Sequence, residues 1–303
     1  MKKNVLITGG SGFVGRHLTE LLILRGYTVS ILSRSKKQNK KDIYYFQWDV
    51  GNQTIEEEAV LRADYIVHLA GENIAGKRWT KKRKQAIIES RILSGQLLYS
   101  VLKKNNKKVA AFVSASAIGI YGAINGEEIC TEETAAATDF LGLTCQRWES
   151  IDDYIENLGI RCVKLRTGLV LGKDEGLLNT LLPIFKKRLG SALGSGKQYM
   201  PWVHINDLCN AYLLSIENSE MDGSYNVAVN DNTTNASFSK TLAKVLGYRI
   251  WLPNVPAFII RMFLGELSLL VLKGRRVSSD KIENLGFQFQ YINLEEALTD
   301  CLK

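Results

Sequence analysis

Apolar positions in the first 170 residues follow two alternating periods. Short, continuous apolar runs are typical of buried parallel strands, and they alternate with longer segments in which apolar residues recur every three or four positions, as in helices. This order predicts the α/β class, with a doubly wound parallel sheet of the Rossmann type and crossover helices. The strand candidates are 5–8, 28–32, 65–69, 110–113 and 161–166, with a further strand before Asp49.

After about residue 170 the regular alternation stops. A glycine-rich loop at 190–196 comes first, and the rest carries short strand candidates and two helical segments. We expect a smaller lobe over the carboxyl edge of the sheet, where open α/β sheets bind their ligands. The predicted units are 1–170 and an interleaved 171–303. The strand candidates of the second unit are 202–205 and 225–229, and its helix candidates are 207–217 and 238–246.

Composition excludes several classes of protein. Hydrophobic residues make up 46% of the 303 positions, charged residues 23%, and there are four prolines, which is typical of a compact globular chain rather than a fibrous or disordered one. No apolar stretch approaches the roughly 20 residues that span a bilayer. The first residues lack the features of a signal peptide. We therefore expect a cytoplasmic protein with no membrane partner.

The charge and the reactive side chains narrow the choice further. Two basic runs, 36–41 and 81–84, contribute much of the formal charge of +8 but lack the interleaved aromatics of a base-stacking surface. They favour solvated faces over a nucleic-acid site, with RNA binding kept as an alternative. Five dispersed cysteines and three histidines show no pairing at metal-ligand spacing, so we expect neither a disulfide framework nor a metal site.

A glycine-rich turn follows the first strand and opens the first helix. Gly10–Gly15 satisfies GxGxxG, and the same turn satisfies GxxGxxG from Gly9, so the two registers stay open. Residues without side chains let the backbone approach a pyrophosphate, and the helix N-terminus favours its negative charge. The alternative is a turn that merely tolerates glycine. The candidate cofactor-binding residues here are Gly9, Gly12, Phe13, Val14 and Gly15.

The end of the second strand indicates which dinucleotide is bound. An acidic residue there usually holds a free ribose 2′-hydroxyl, whereas a basic residue accommodates a 2′-phosphate. This chain has Ser33 and Arg34 and no acid, which predicts NADP(H) as cofactor, although a solvated basic loop is the competing explanation. Asp49 is a candidate acceptor for the adenine amino group, and we expect His68 in the core. The fourth-strand end adds the candidates Leu69, Ala70 and Gly71.

Motifs along the whole chain resemble the extended short-chain dehydrogenase/reductase superfamily. The likeness is to an atypical, NAD(P)-dependent epimerase-like family with its own C-terminal segment. It implies the fold, NADP(H) binding, and an oxidoreductase or nucleotide-sugar-epimerase-like activity on a small carbonyl or hydroxyl substrate. The segments that carry it are 68–74, 78–80, 90–92, 114–122, 165–172, 202–208, 255–258, 264–266 and 274–277.

The superfamily's acid/base pair is missing from its expected place. Its chemistry uses a tyrosine with a lysine four positions later, because tyrosine alone, with a pKa near 10, is a poor base at neutral pH. Phe140 and Thr144 stand at those positions. Tyr99 and Lys103 have the right spacing but precede the expected helix, so we interpret them as a surface pair. The remaining catalytic candidates are Tyr121 and Ser116, with Ser114 as the alternative serine.

Two function hypotheses follow from this gap. One is a turning-over enzyme whose substrate lies between Ser116, Tyr121 and the lid-like loop at 194–199; Tyr121 could equally pack that pocket. The other is an NADPH-binding sensor or scaffold without turnover, which the missing pair favours. Further residues expected to face the cleft are Glu72, on the cofactor side, Arg91 and Cys145. The resemblance implies a homodimer through helices 84–103 and 140–158, whose apolar positions could instead face the sheet.

Overall fold

Eight strands form one central sheet within residues 2–173 and 175–303, which the computed structural model describes. Its order is β11-β8-β6-β5-β1-β2-β3-β4, and every neighbouring pair is parallel except β3 and β4. Two further parallel pairs, β9 with β10 and β7 with β12, lie outside it. In chain order the strands are β1 (Asn4–Thr8), β2 (Thr28–Ser33), β3 (Ile43–Asp49), β4 (Thr54–Ile55), β5 (Tyr65–His68), β6 (Ala111–Ala117), β7 (Ile129–Cys130), β8 (Cys162–Thr167), β9 (Leu169–Leu171), β10 (Trp202–His204), β11 (Gly223–Val227) and β12 (Arg276–Val277).

Helices connect the strands. The first five are α1 (Phe13–Leu24), α2 (Glu58–Leu61), α3 (Lys81–Lys104), α4 (Phe140–Glu156) and α5 (Gly176–Lys186). The others are α6 (Ile205–Glu217), α7 (Asn235–Val245), α8 (Ala257–Leu264), α9 (Leu269–Leu272), α10 (Asp280–Glu283) and α11 (Leu294–Leu302), with 3₁₀ turns at Ile118–Tyr121 and Gly265–Ser268. No helix in the described ranges combines the length and the apolar character needed to cross a bilayer.

Two hydrophobic layers cover the faces of the sheet. On one face, Leu22 of α1 and Tyr212 of α6 belong to the same buried cluster as Val5 of β1. On the other face, the cluster beneath α3 and α4 contains Leu6 and Ile151. Neighbouring residues of β1 therefore enter opposite layers, as successive side chains of a strand must. This explains why the strands read as continuous apolar runs rather than as alternating ones.

The predicted doubly wound α/β sheet is confirmed, and one strand assignment changes. The 225–229 pattern is not confined to a separate lobe: β11 pairs with β8 along the edge of the central sheet, with Tyr225 opposite Leu165. Helix α6, which leads into β11, packs on the same face as α1. Residues beyond 170 thus help to build the first unit, and the division into 1–170 and 171–303 stays a prediction.

A third cluster forms the smaller lobe. Leu178 of α5, Trp202 of β10, Phe238 of α7 and Leu298 of α11 are buried together. The chain after α9 then returns to the main body, where β12 pairs with β7 and sets Val277 opposite Cys130. This return brings the C-terminal segment next to the loops at the carboxyl edge of the sheet.

Candidate functional site

The turn between β1 and α1 has no room for side chains at its glycines. Gly9 has φ of +69°, which residues other than glycine rarely adopt. A Cβ on Gly15 would collide with the carbonyl oxygen of Gly9 and the backbone of Gly10. Gly12 caps α1 without any side-chain hydrogen bond. Among the described residues, no side chain occupies the first amides of α1, so they remain available to an anionic group.

Thr8 ties this turn to the end of β5. Its Oγ1 accepts hydrogen bonds from the backbone N–H groups of Leu69 and Ala70, both at 3.1 Å. A Cβ on Gly9 would lie 3.0 Å from the Leu69 carbonyl, so the two loops are in close contact. The same hydroxyl lies 2.8 Å from Nδ1 of His68. Burial lowers the pKa of His68 to about 4, so it is a neutral core residue, as expected from the sequence.

Two cofactor candidates, Arg34 and Glu72, carry opposite charges and differ in whether they are already paired. Arg34 follows β2 and Ser33, is exposed, and forms no ion pair with any described residue. Glu72 lies in the loop after β5 and pairs with Arg83 at 2.6 Å. Arg83 lowers the pKa of Glu72, with a smaller contribution from Arg34. The Glu72 carboxylate is thus already neutralised by Arg83, whereas the Arg34 guanidinium remains free for an added phosphate.

Asp49 ends β3 and is engaged in its own turn. Its Oδ1 accepts from the backbone N–H of Asn52 at 3.0 Å and its Oδ2 from the Asn52 side chain at 2.8 Å. These hydrogen bonds lower the pKa of Asp49. If Asp49 binds adenine, its carboxylate does so while it also accepts the two hydrogen bonds from Asn52.

The first turn of α1 also packs against the segment that follows β9. The ring of Phe13 lies so close to Gly172 that a Cβ there would collide with it. Val14 is partly buried against the sheet cluster. One turn later Arg16 pairs with Glu175. Side chains of the glycine turn therefore join the two halves of the chain, while its backbone faces the cleft.

A buried polar cluster holds both catalytic candidates. Ser116 donates its hydroxyl hydrogen to Oε1 of Glu149 at 2.6 Å. Arg166 binds the same carboxylate with two N–H groups, each at 2.9 Å, and donates a third hydrogen to the Tyr121 oxygen at 3.2 Å. Tyr121 donates in turn to Oδ1 of Asn226 at 2.7 Å. The structure thus brings Ser116 and Tyr121 into one network, in which both hydroxyl hydrogens have protein acceptors.

The charges of this cluster are fixed by burial and pairing. Burial raises the pKa of Tyr121 to about 12, against the opposing effect of Arg166. Burial alone would lower the pKa of Arg166, but the hydrogen bonds and charge of Glu149 outweigh it and raise that pKa. At neutral pH the cluster is therefore a bidentate ion pair beside a protonated phenol.

The positions of the missing pair are occupied by packing residues. Phe140 makes an edge-to-face contact with Trp79, with ring centroids 4.8 Å apart. Thr144 donates its hydroxyl to the Phe140 carbonyl at 2.6 Å, within α4 itself. Tyr99 and Lys103 lie on α3, where the Lys103 ammonium is 5.6 Å from the ring centroid. Tyr99 and Lys103 are not among the described residues that line the cavity beside Tyr121.

That cavity has a volume of about 310 Å³. Tyr121, Arg91 and Cys145 line it, together with segments 193–201 and 269–277. Burial raises the pKa of Cys145 to about 12, which leaves a thiol rather than a reactive thiolate. Of the residues expected to face the cleft, Ser116 and Glu72 are not among the described lining residues. The loop predicted as a lid does contribute, through residues 198 and 199.

Two protein-family profiles together match most of the chain. The profile of the NAD dependent epimerase/dehydratase family matches residues 5–228. The chain belongs to this family. A second profile, described as a domain of unknown function (DUF1731), matches residues 255–301 of the same chain. The resemblance inferred from the sequence, including the distinct C-terminal segment, is therefore confirmed.

Relatives of this epimerase family chain extend over its full length. The epimerase family protein YfhF of Bacillus subtilis is 37% identical over 301 residues, covering 99% of this chain and 98% of that protein. The human epimerase family protein SDR39U1, solved with NADPH, superimposes with a TM-score of 0.86 at 27% identity, covering 98% of each chain. The UDP-glucose 4-epimerase of Thermotoga maritima, solved with UDP-glucose, reaches 0.79 at 20% identity, covering 99% and 97%, which is a likeness of fold alone.

Sequence reasoning missed most partners of the catalytic candidates. Glu149, Arg166 and Asn226 come from α4, β8 and β11, and no spacing relates them along the chain. From the sequence, Arg166 was noted only within segment 165–172, one of those that carry the family resemblance, and was given no role. Gln198 and Arg275, which line the cavity, likewise come from distant segments. Only the pairing of β6, β8 and β11 in one sheet brings the cluster together.

Proposed function

We propose that this family member binds NADP(H) and acts as an oxidoreductase or epimerase-like enzyme on a small carbonyl or hydroxyl substrate. The observation that carries the proposal is the glycine turn, where a Cβ on Gly15 would collide with the backbone of Gly9 and Gly10. Such a turn, with free amides at a helix N-terminus, is suited to hold a pyrophosphate. The NADPH in the human relative supports the same choice of cofactor.

The residues fit two parts of such a dinucleotide, the pyrophosphate and the 2′-phosphate. Gly9, Gly12, Phe13, Val14 and Gly15 would hold the pyrophosphate through their backbone. Arg34, exposed and unpaired among the described residues, would bind a 2′-phosphate, with Ser33 beside it. The remaining cofactor contacts in the proposal are Asp49, Leu69, Ala70, Gly71 and Glu72.

When bound, the nicotinamide supplies the hydride chemistry. Tyr121 lines the cavity and is the proposed proton donor there. Its raised pKa keeps the phenol protonated at neutral pH, so a proton is present to be donated to the substrate oxygen that gains negative charge. Donation requires the O–H to turn away from Asn226. Ser116 and Arg166 hold this end of the site in place through Glu149.

A second candidate function is an NADPH-binding protein without turnover. Two observations favour it: Phe140 and Thr144 replace the acid/base pair, and the hydroxyls of Ser116 and Tyr121 both donate within the protein. A panel of carbonyl compounds and nucleotide sugars, followed through NADPH absorbance, separates the two. NADPH binding with no oxidation by any compound would favour the silent protein over the enzyme.

Titration calorimetry on the wild-type chain and Arg34→Ala tests the cofactor assignment. We expect Arg34→Ala to raise the Kd for NADPH about 10–100-fold, because a hydrogen bond to a charged group contributes roughly 1.5–3 kcal/mol. The Kd for NADH should stay within about twofold, because NADH lacks the phosphate. Arg25→Ala is the matched control, since Arg25 is an exposed arginine at the opposite end of α1.

Two results would contradict the assignment. Equal weakening of both dinucleotides by Arg34→Ala would remove Arg34 from the 2′-phosphate site. No heat with either dinucleotide on the folded wild-type chain would overturn the proposed function as a whole.

A further inference from the structure

The cavity walls away from the sheet are strongly apolar. The C-terminal segment contributes Leu269, Leu270 and Val271 to the lining, and Leu141, Leu193 and Met200 line the same cavity. A sugar carries a hydroxyl on almost every carbon, and each buried hydroxyl without a partner is unfavourable by about 1–3 kcal/mol. These walls therefore favour a substrate with an aliphatic or aromatic body. The volume of about 310 Å³ lies at the small end of ligand pockets, which span roughly 300–1,000 Å³.

The charged groups of the cavity have one sign. Arg91, Lys273 and Arg275 line it, and no aspartate or glutamate is found among the described lining residues. Arg275 has only a loose contact with a carboxylate, 3.9 Å from Glu128, which is largely exposed. Its buried Nε has no hydrogen-bond partner in the described part of the chain. One of its terminal N–H groups also donates to the sulfur of Cys130 at 3.7 Å. Lys273 forms no ion pair with a described residue, so Lys273 and the weakly paired Arg275 supply positive charge for an anion.

Gln198 adds a polar group of fixed orientation. Its side-chain NH₂ donates to the carbonyl oxygens of Leu193 at 3.0 Å and Val271 at 2.7 Å. These two acceptors determine which way the amide faces, because the flipped amide would set oxygen against oxygen. The buried Oε1 is then left without a donor from the described residues. A ligand hydroxyl in this cavity would satisfy it.

We propose that the substrate is an oxo acid with an apolar body, or the corresponding hydroxy acid, whose carboxylate is held by Lys273 and Arg275. This inference rests on the proposed function, which supplies the NADPH. In the reductive direction the carbonyl carbon gains the hydride that NADPH loses, and the carbonyl oxygen gains a proton. The products are the hydroxy acid and NADP⁺. A nucleotide sugar, the ligand of the Thermotoga maritima epimerase, does not match this cavity.

Binding to the NADPH-loaded wild-type chain tests the inference with three probes: 4-phenyl-2-oxobutanoate, the neutral ketone 4-phenylbutan-2-one, and UDP-glucose. Calorimetry gives the affinities, and the absorbance of NADPH reports turnover. We expect the oxo acid to bind at least about tenfold more tightly than the ketone, because only the acid can form charge-assisted hydrogen bonds. UDP-glucose should give no saturable binding.

Variants locate the anion site. Lys273→Gln and Arg275→Gln should each reduce the preference for the acid over the ketone to about threefold or less, and Arg275→Lys should retain most of it. Lys187→Gln, at an exposed lysine just after α5, is the control and should leave the preference unchanged. Because Arg275→Lys keeps the charge, it separates loss of the anion site from loss of folding.

Three outcomes would overturn the inference while leaving the proposed function intact, provided that NADPH still binds. The first is equal affinity for the acid and the ketone. The second is displacement of the acid by UDP-glucose. The third is no binding of the oxo acid at all. Failure of NADPH to bind would instead overturn the proposed function.

Discussion

At the scale of single residues, Tyr121 shows how a side chain can line a site and still be committed elsewhere. It is among the residues that line the cavity, while its hydroxyl bridges Arg166 and Asn226 inside the protein. Tyrosines in low-dielectric surroundings keep their proton because burial disfavours the phenolate. Tyr121 therefore carries its proton at neutral pH, and the same burial makes it a weaker acid than a solvated tyrosine.

Replacing Tyr121 by phenylalanine separates its two roles. We expect the free energy of unfolding to fall by about 1–3 kcal/mol, because Asn226 and Arg166 lose a buried partner. NADPH affinity should stay within about twofold, since the hydroxyl lies outside the proposed cofactor contacts. Turnover of any substrate found should be lost. Urea denaturation, calorimetry and NADPH absorbance measure the three effects.

Tyr154→Phe is the control, because Tyr154 is 54% exposed and its hydroxyl has no hydrogen bond to a described residue. Unchanged turnover in Tyr121→Phe would exclude Tyr121 as the proton donor.

At the scale of elements, α4 is held to the sheet by a buried carboxyl group. Asp152 accepts the Ser114 hydroxyl hydrogen at 2.6 Å, across the contact between α4 and β6. Burial raises the pKa of Asp152 from 3.8 to about 8, although Ser114 and the charge of Lys164 act in the opposite direction. The folded protein therefore holds a proton here that the unfolded chain releases at much lower pH.

This proton predicts a pH dependence that Asp152→Asn removes. Between about pH 4 and pH 8 the unfolded chain binds fewer protons than the folded one at Asp152. The contribution of Asp152 to the free energy of unfolding therefore falls as the pH rises. That contribution is fully present below the unfolded pKa. Asparagine can accept the same hydrogen bond without ionising, so we expect the variant to gain stability relative to wild type from about pH 5 to pH 8. Urea denaturation at both pH values measures the difference.

Glu20→Gln is the control, because Glu20 is an exposed acid on α1 without an ion pair to a described residue. An equal pH dependence in wild type and Asp152→Asn would contradict the assignment of the proton to Asp152.

The helices considered for a dimer are engaged within the chain. Ile151 of α4 lies so close to α3 that a Cβ on Gly95 would contact it, and Tyr99 stacks near Tyr154 with centroids 5.9 Å apart. Leu97 and Ile155 are buried in the same cluster. Many apolar positions of both helices thus face the sheet and each other, whereas Leu143 and Tyr154 of α4 are exposed. The dimer stays a prediction.

At the scale of the whole molecule, the chain completes its first unit only after residue 217. Strand β11 forms the edge of the central sheet, and α6 buries Leu208, Tyr212 and Ile216 on the face it shares with α1. A chain ending near residue 170 would leave β8 without its outer neighbour and expose this face to water.

We expect the fragment 1–170 to lack a cooperative unfolding transition, because it loses both the edge strand and the helix that covers one face. Circular dichroism during urea titration and binding of a hydrophobic dye measure this, with the full chain as reference. Cooperative unfolding of 1–170 alone would contradict the interleaved arrangement.

A feature could be predicted from the sequence when the residues that cause it lie close together along the chain. The glycine turn was readable because the strand, the turn and the helix are contiguous, and steric demands at Gly9 and Gly15 act within seven residues. The edge strand β11 was harder to place, since a short apolar run does not say which sheet it joins. The network from Ser116 to Asn226 spans more than 100 residues of sequence and was not readable at all.

By itself, the sequence determined the class of fold, the position of the glycine turn, the absence of an acid after β2 and the missing acid/base pair, because each depends on residue type and short spacing. Only the tertiary structure decided that β11 belongs to the central sheet, and that the hydroxyls of Ser116 and Tyr121 are turned toward Glu149 and Asn226. It also decided that the cavity is largely apolar and that the charged residues among its described lining are all cationic. The physical reason is that hydrogen bonds and burial join groups that are neighbours in space, and parallel strands with long crossovers bring distant segments to one edge.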